Sequence, residues 1–441
     1  MKKWIALLLA LVMVLSMTAC GASEAPKADA PAAEAPKADA PAAAGLPYEG
    51  ETLTVLYMSG VYADAARAMV PEFEAATGAK VEVVDYPYLT LHEKALLDLT
   101  SFTGSYDVID VASQWDGEFA PFLEPLTDYI ARDNYDMTVW IDNVLANCGD
   151  WQGTIIGIPN ASTPQTFAYR TDLLPNGIPD TWEEYREALA AAQNLDEGVY
   201  GVTVSEVAGQ LGGVFDYVLW SMGGKWANEE WKVSINSNEG RSALTYLNSA
   251  KSLSNPECLE WTRDDAIQAF LDGKAAVCET QAITELLLNG DDPALSQISG
   301  NWAFGRIPHE KTGITSLSAW DSVIPAVSQD KDLAWEWIKM YSGLDMQNRF
   351  YDEFLCFSPR KDFWEQEKMA SLQVLREALD TANGTWRIPA FTEAESSLSE
   401  TLSSFLTMEI YQDSAIRRME KAVKTMLETL PPEEGIQNAN R

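Results

Sequence analysis

Histidine, basic charge and paired cysteine motifs are what this sequence has least of, and each shortage excludes some chemistry. Only two histidines occur, His92 and His309. One of them would have to serve any Ser-His-Asp or Cys-His site, and a histidine-rich metal centre is nearly excluded. The five cysteines form no Cys-x-x-Cys, which argues against zinc and thioredoxin-like chemistry. Lys and Arg number 31 against 66 Asp and Glu, a formal net charge of −35. No block of clustered Lys and Arg meets the needs of phosphate binding, so nucleic acid is not an expected partner. An acidic surface also repels anionic solutes. Gly-x-Ser-x-Gly, P-loop, Gly-x-Gly-x-x-Gly and His-Glu-x-x-His motifs are absent. Neither a cofactor nor a metal is expected. An enzyme is not expected either, although 66 acids can always supply the carboxylate pair of a glycoside hydrolase.

What is present points to capture of a small solute. The 441 residues are 46% hydrophobic, enough for two domains of ordinary size with their own cores. Tryptophan, at 15, outnumbers phenylalanine, at 14. An acidic, tryptophan-rich, histidine-poor chain suits a neutral or cationic polar ligand with flat apolar faces.

The N-terminus reads as an export signal. Lys2 and Lys3 precede the apolar stretch from Trp4 to Met17, which is short for a membrane span. Met17-Thr18-Ala19-Cys20 resembles a bacterial lipobox, and that resemblance implies cleavage before Cys20 and a lipid on its thiol. Residues 24–33, EAPKADAPAA, are repeated letter for letter at 34–43. Proline at every fifth position and no apolar side chain beyond Ala and Pro in the repeat at 24–43 mark residues 20–50 as an extended tether. It would hold the folded part clear of the membrane.

From Thr52 the pattern becomes that of an α/β fold. Strands are expected at Leu53–Met58, Lys80–Asp85 and Tyr106–Val111, with helices at Ala63–Thr77, His92–Leu99 and Trp115–Phe122. That alternation argues for a parallel sheet covered on both faces. Further on, Thr181 with Glu184 reads as a capping box. KWANEEWKVSI (225–235) reads as a hairpin pairing Trp226 with Trp231. Helices are expected at Asn238–Leu253, Asp264–Leu271, Asp330–Tyr341 and Ser414–Leu430. The apolar stripes of the last two are read as core. Cys148, Cys258, Cys278 and Cys356 allow three disulfide pairings; a buried thiol suits Cys278, and a Cys258–Cys278 bridge is an alternative.

The order of several segments resembles the extracellular solute-binding proteins of bacterial sugar ABC transporters, the maltose-binding-like family. The segments are YDVIDVASQWDGEFAPFLEPLTDYI (106–130), GTIIGIPNASTPQTFAYRTDLL (153–174), WSMGGKWANEEWKVSINSNEGRSAL (220–244), FLDGKAAVCETQ (270–281) and SAWDSVIPAVSQDKDLAWEWIKMYSG (318–343). The resemblance implies a two-lobed α/β fold of the periplasmic-binding-protein type with a cleft between lobes. Hinge crossings are expected near 159–163, 279–283 and 324–332. Residues 51–160 with 280–327 would form one lobe and 161–279 with 328–432 the other, leaving 433–441 as a tail. It further implies a monomer on the outer face of the cell membrane, partnered by permease subunits, with a sugar or oligosaccharide as ligand. Two departures put the ligand's identity in play. Ala112-Ser113 stands where many sugar binders carry an Asp, and Ser318-Ala319-Trp320 replaces Gly-Gly-Trp.

A sugar packs its C–H faces on aromatic rings and needs fixed partners for its hydroxyls. Trp115 and Trp320, at strand ends, are the stacking candidates. Asp116 and Asp321 beside them could accept hydroxyl pairs, and Tyr57, Tyr62, Gln165 and Gln281 could reach the cleft. Trp220, Arg360 and Trp386 complete the candidate set. Core packing remains the competing reading for the tryptophans, and dipole stabilisation of a helix start for Asp116. The same acids beside the same rings would also suit a cation such as a polyamine. A surface sensor that feeds no transporter is a further alternative.

Overall fold

The computed structural model describes residues 45–204, 211–279, 281, 283–388 and 391–428. The signal, Cys20 and most of the tether lie outside these residues, as do Leu430 and the expected tail. Eleven strands are present: β1 (Thr52–Met58), β2 (Lys80–Tyr86), β3 (Val108–Ala112), β4 (Asp150–Trp151), β5 (Thr154–Ile155), β6 (Gly157–Pro164), β7 (Phe167–Arg170), β8 (Tyr200–Thr203), β9 (Ala275–Cys278), β10 (Trp302–Gly305) and β11 (Leu317–Val323). They make a five-stranded sheet, β2-β1-β3-β11-β6, a four-stranded sheet, β10-β7-β9-β8, and the small β4-β5 hairpin.

The first sheet is mixed, where alternation alone predicts a parallel one. β1, β2 and β3 are parallel, but β11 runs antiparallel to both β3 and β6. β11 returns to this sheet from the second one and enters from the opposite end. Alternate residues of β1 serve the two faces. Leu53, Val55 and Tyr57 pack with Met69, Phe73 and Trp337, whereas Leu56 packs with Leu91, Leu99 and Phe119. In the second sheet Phe167, Val202 and Val277 meet Leu189, Phe215, Leu219, Leu244, Leu398 and Ile416. Ala168 and Cys278 face Phe270, Leu286 and Ile298.

The chain passes from the first sheet to the second across Gln165 and Thr166, close to the expected position. The other passages differ from expectation. At the second expected crossing, near 279–283, Gln281 donates from Nε2 to Thr163 Oγ1 at 2.9 Å, yet the chain then supplies β10 to the second sheet. It returns to the first sheet between Gly305 and Leu317. Helix Lys331–Tyr341 packs on the first sheet through Leu333, Trp337 and Tyr341, although the sequence groups it with the second. A last passage starts after Leu379 and brings Trp386 and Ile388 into the second core, which helices Phe391–Leu406 and Gln412–Glu428 also join.

Local signals explain most element ends. Ser237 caps its helix by accepting from Gly240 N at 3.1 Å. The reciprocal capping box sits at Thr262 and Asp265; at Thr181 the hydroxyl accepts from Glu184 N at 3.2 Å while the Glu184 carboxylate accepts from that hydroxyl. The expected hairpin is only a bridge between Ala227 and Val233. Asn228 turns the chain there by accepting from the backbone of Glu230 and Lys232, and Trp226 and Trp231 both pack on Trp386. Cys148, Cys258, Cys278 and Cys356 are buried thiols, and no disulfide joins them. Among the described residues no helix is long and apolar enough to cross a membrane, and no cluster of His, Cys, Asp and Glu could hold a metal.

Candidate ligand-binding site

Four aromatic rings gather where the parallel strands of the first sheet end, the usual place for a ligand in an open α/β sheet. Tyr62 lies in the first turn of helix Val61–Thr77, after β1. Tyr88 begins helix Tyr88–Ser101, after β2. Trp115 closes the short 3-10 turn after β3, and Trp320 on β11 is paired with Ala112 and Ala161, whose small side chains leave it room. Ring centroids lie 5.2 Å apart for Tyr62 and Trp320, 4.8 Å for Tyr88 and Trp115, and 5.8 Å for Trp115 and Trp320. Trp115 and Trp320 are 3% and 5% exposed, while Tyr88, at 36%, is the open edge. His92 backs the platform with its ring 4.9 Å from Trp115 and its Nε2 2.7 Å from Glu118 Oε2.

Polar groups from both sheets act on the platform or adjoin it. Glu395 belongs to helix Phe391–Leu406, which packs in the second core. Burial pushes the Tyr88 hydroxyl well above its ordinary value, and the Glu395 charge pushes it further. Burial lifts Glu395 itself to about 7. Beside Tyr62 lies a cavity of about 160 Å³ lined by Ser162, Thr163, Ser318, Arg263 and Gln281. Arg263 grips Glu285 with two contacts of 2.7 Å and donates to the Gln281 carbonyl at 2.9 Å.

The residues singled out in the sequence fall into three groups. Trp115, Trp320 and Tyr62 come together on the platform, with Gln281 at the adjoining cavity. Asp116 and Asp321 also come together, but both are fully buried beside Arg387 and Cys148. Burial raises Asp116 to about 6 against the opposing pull of Arg387, and burial with the Asp116 charge raises Asp321 well above the carboxylate range. The remaining residues hold the scaffold. Tyr57 is in the first core, its hydroxyl accepting from Trp337 Nε1 at 2.9 Å. Gln165 donates to the Glu279 carbonyl at 2.6 Å and so ties the first crossing to β9. Trp220 and Trp386 are buried in the second core. Arg360 pairs with Asp362 at 2.7 Å and covers the Trp140 ring.

Tyr88, His92 and Glu395 are site residues that the sequence did not single out. Tyr88 carries the same signal as Tyr62, an aromatic at the first turn after a parallel strand. Glu395 has no local signal, being one acid among 66.

Comparisons with known proteins bear on the family and the fold. Residues 59–347 match the family model for bacterial extracellular solute-binding protein. A probable amino-acid ABC transporter periplasmic-binding protein of Sinorhizobium fredii is 25% identical over 332 residues, 70% of this chain and 73% of that one. An ABC transporter solute-binding protein of Agrobacterium radiobacter K84, solved with ribitol, superposes with TM-score 0.74 at 23% identity, over 86% of this chain and 100% of the other. A maltose-bound protein of T. maritima gives 0.75 at 22%, with the same coverage. These likenesses show a shared two-lobed α/β fold. Matched over well more than half its length, the chain belongs to the bacterial extracellular solute-binding proteins.

Proposed function

We propose that the protein captures a neutral polyhydroxylated solute, a sugar or polyol, on the platform of Tyr62, Tyr88, Trp115 and Trp320, and delivers it to the permease of an ABC importer. The platform is the observation that carries this reading. Flat C–H faces suit the rings, and Glu395, Ser162, Thr163 and Gln281 offer partners for hydroxyls. Relatives of the same fold have been solved with ribitol and with maltose. Closure of the two bodies over the ligand would let the permease distinguish loaded from empty protein. The protein works as a monomer that binds without turnover. A lipid on Cys20 and the proline-rich tether hold it at the outer face of the membrane, since two or more acyl chains anchor stably where one does not.

One observation favours a second reading. A largely buried carboxylate, Glu395, whose charge acts on Tyr88 of the platform, is also a fair receptor for an amine or a quaternary ammonium. Arg263, the one cation among the described residues lining the cavity, is already held by Glu285, which leaves the carboxylate of an amino acid without an evident partner among them.

Thermal unfolding of the full chain against sugars, polyols, polyamines and amino acids tests both. A ligand at 100 times its Kd stabilises by about 2.7 kcal/mol. A shift with sugars or polyols supports the proposal. A shift with amines alone, weakening steeply with salt, replaces it with the second reading.

A further inference from the structure

Residues 381–388 run from helix Gln373–Leu379, on the first body, toward helix Phe391–Leu406, on the second. At their end Trp386, Arg387 and Ile388 are buried in turn in the second body, the first and the second again. Trp386 lies in the second core, 5.5 Å from Trp226, and Ile388 joins it there. Arg387 between them, 2% exposed, reaches into the first body. Its Nη1 is 3.2 Å from Asp116 Oδ2, its Nη2 donates to the Asp150 carbonyl, and its guanidinium covers the Trp151 ring at 5.3 Å. The fit is close enough that a Cβ on Gly117 would stand 1.8 Å from the Arg387 carbonyl oxygen, so only glycine is accommodated. Asp321 shares this pocket. A Cβ on Gly157 would meet its Oδ2 at 1.7 Å, so Gly157 leaves the space it needs. The charged and titratable groups acting on Asp321 are Asp116, Arg387, Asp110 and Cys148. Each of the two acids beside Arg387 directly follows a platform tryptophan, Asp116 after Trp115 and Asp321 after Trp320.

We propose that Arg387 is a positioning residue for ligand capture: through Asp116 and Asp321 it holds the backbone that aims Trp115 and Trp320, and so couples the platform to the seating of helix Phe391–Leu406 and Glu395. This rests on the reading that the ligand lies on the platform. A guanidinium is suited to the task because it can serve a carboxylate and a carbonyl at once from one rigid plane. A buried charge pair of this kind is also intolerant of losing one member, which makes the seating all-or-none.

The test is a double-mutant cycle on the full chain, read as Kd by calorimetry with the sugar or polyol that stabilises it most. Arg387→Lys keeps the charge but loses the second contact, and should weaken binding about tenfold or more. Trp320→Phe alone should weaken it about fivefold, and by less than about twofold when Arg387 is already Lys. Additive losses in a folded double variant would overturn the positioning role and leave the platform reading intact. Unchanged affinity in both Trp320→Phe and Tyr88→Ala would overturn the platform reading instead. If Arg387→Lys does not fold, Asp116→Asn takes its place in the cycle. Hydrogen exchange of the ligand-free variant needs no ligand. Faster exchange in 113–122 and 391–406 together supports the coupling, and loss confined to 113–122 contradicts it.

Discussion

Trp115 and Trp320 meet edge to face, with centroids 5.8 Å apart and planes at 82°. They come from different strand ends, separated by some two hundred residues of chain that visits the second sheet in between. That meeting defines the ligand platform, and the carboxylates that follow the two rings are turned away into a buried cluster.

Tyr88 is the exposed member of the platform, so its removal separates binding from folding. Tyr88→Ala should weaken sugar binding about tenfold while costing about 1 kcal/mol or less of stability, because little buried surface is lost. Trp320→Ala, at a 95%-buried position, should cost both binding and roughly 3–5 kcal/mol of stability. Calorimetry and thermal unfolding measure the two effects separately.

On the proposed reading, Glu395 should discriminate between ligand classes. Glu395→Gln keeps hydrogen bonding but removes the charge. Sugar affinity should change by less than about tenfold, whereas binding of any amine ligand should be lost. Titrations at low and high salt check this, and a salt-insensitive sugar isotherm is the expected result.

Stability should rise as pH falls from 8 toward 5. Burial holds Asp110, Glu279 and Glu395 at about 7 and Asp116 at about 6. Each lies above its unfolded value, so the folded protein binds more protons than the unfolded chain in this window. Protonation therefore favours folding until the unfolded carboxylates also titrate near pH 4. Below that, Asp133, held down by Arg132 and Lys339, and Asp85, held down by Ser59 and Arg67, lose their contributions and stability falls. Melting midpoints across pH 3 to 8 should therefore peak near pH 5.

The anchor has its own test. Cys20→Ala should move the protein from the membrane fraction to the medium or soluble fraction without altering ligand affinity. Retention on the membrane would contradict the lipid anchor.

Much of the fold is legible in the sequence because its signals are local. Apolar runs and the cap at Thr181 mark their elements directly. Long-range pairing is not local, so the antiparallel insertion of β11 and the return of helix Lys331–Tyr341 to the first sheet are invisible there. The site divides the same way. Trp115, Trp320 and Tyr62 are readable as aromatics at strand ends, yet the burial of Asp116 and Asp321 depends on Arg387, which reaches them from a distant part of the chain. Glu395 becomes a candidate only once its charge is seen to act on Tyr88.

The most direct measurement is a calorimetric titration of the full chain and its Tyr88→Ala variant with the sugar or polyol that best raises the melting midpoint. Saturable, salt-insensitive binding by the wild type and a loss of about tenfold or more in the variant are expected. Equal affinity in both proteins, or binding only by amines, would contradict the account.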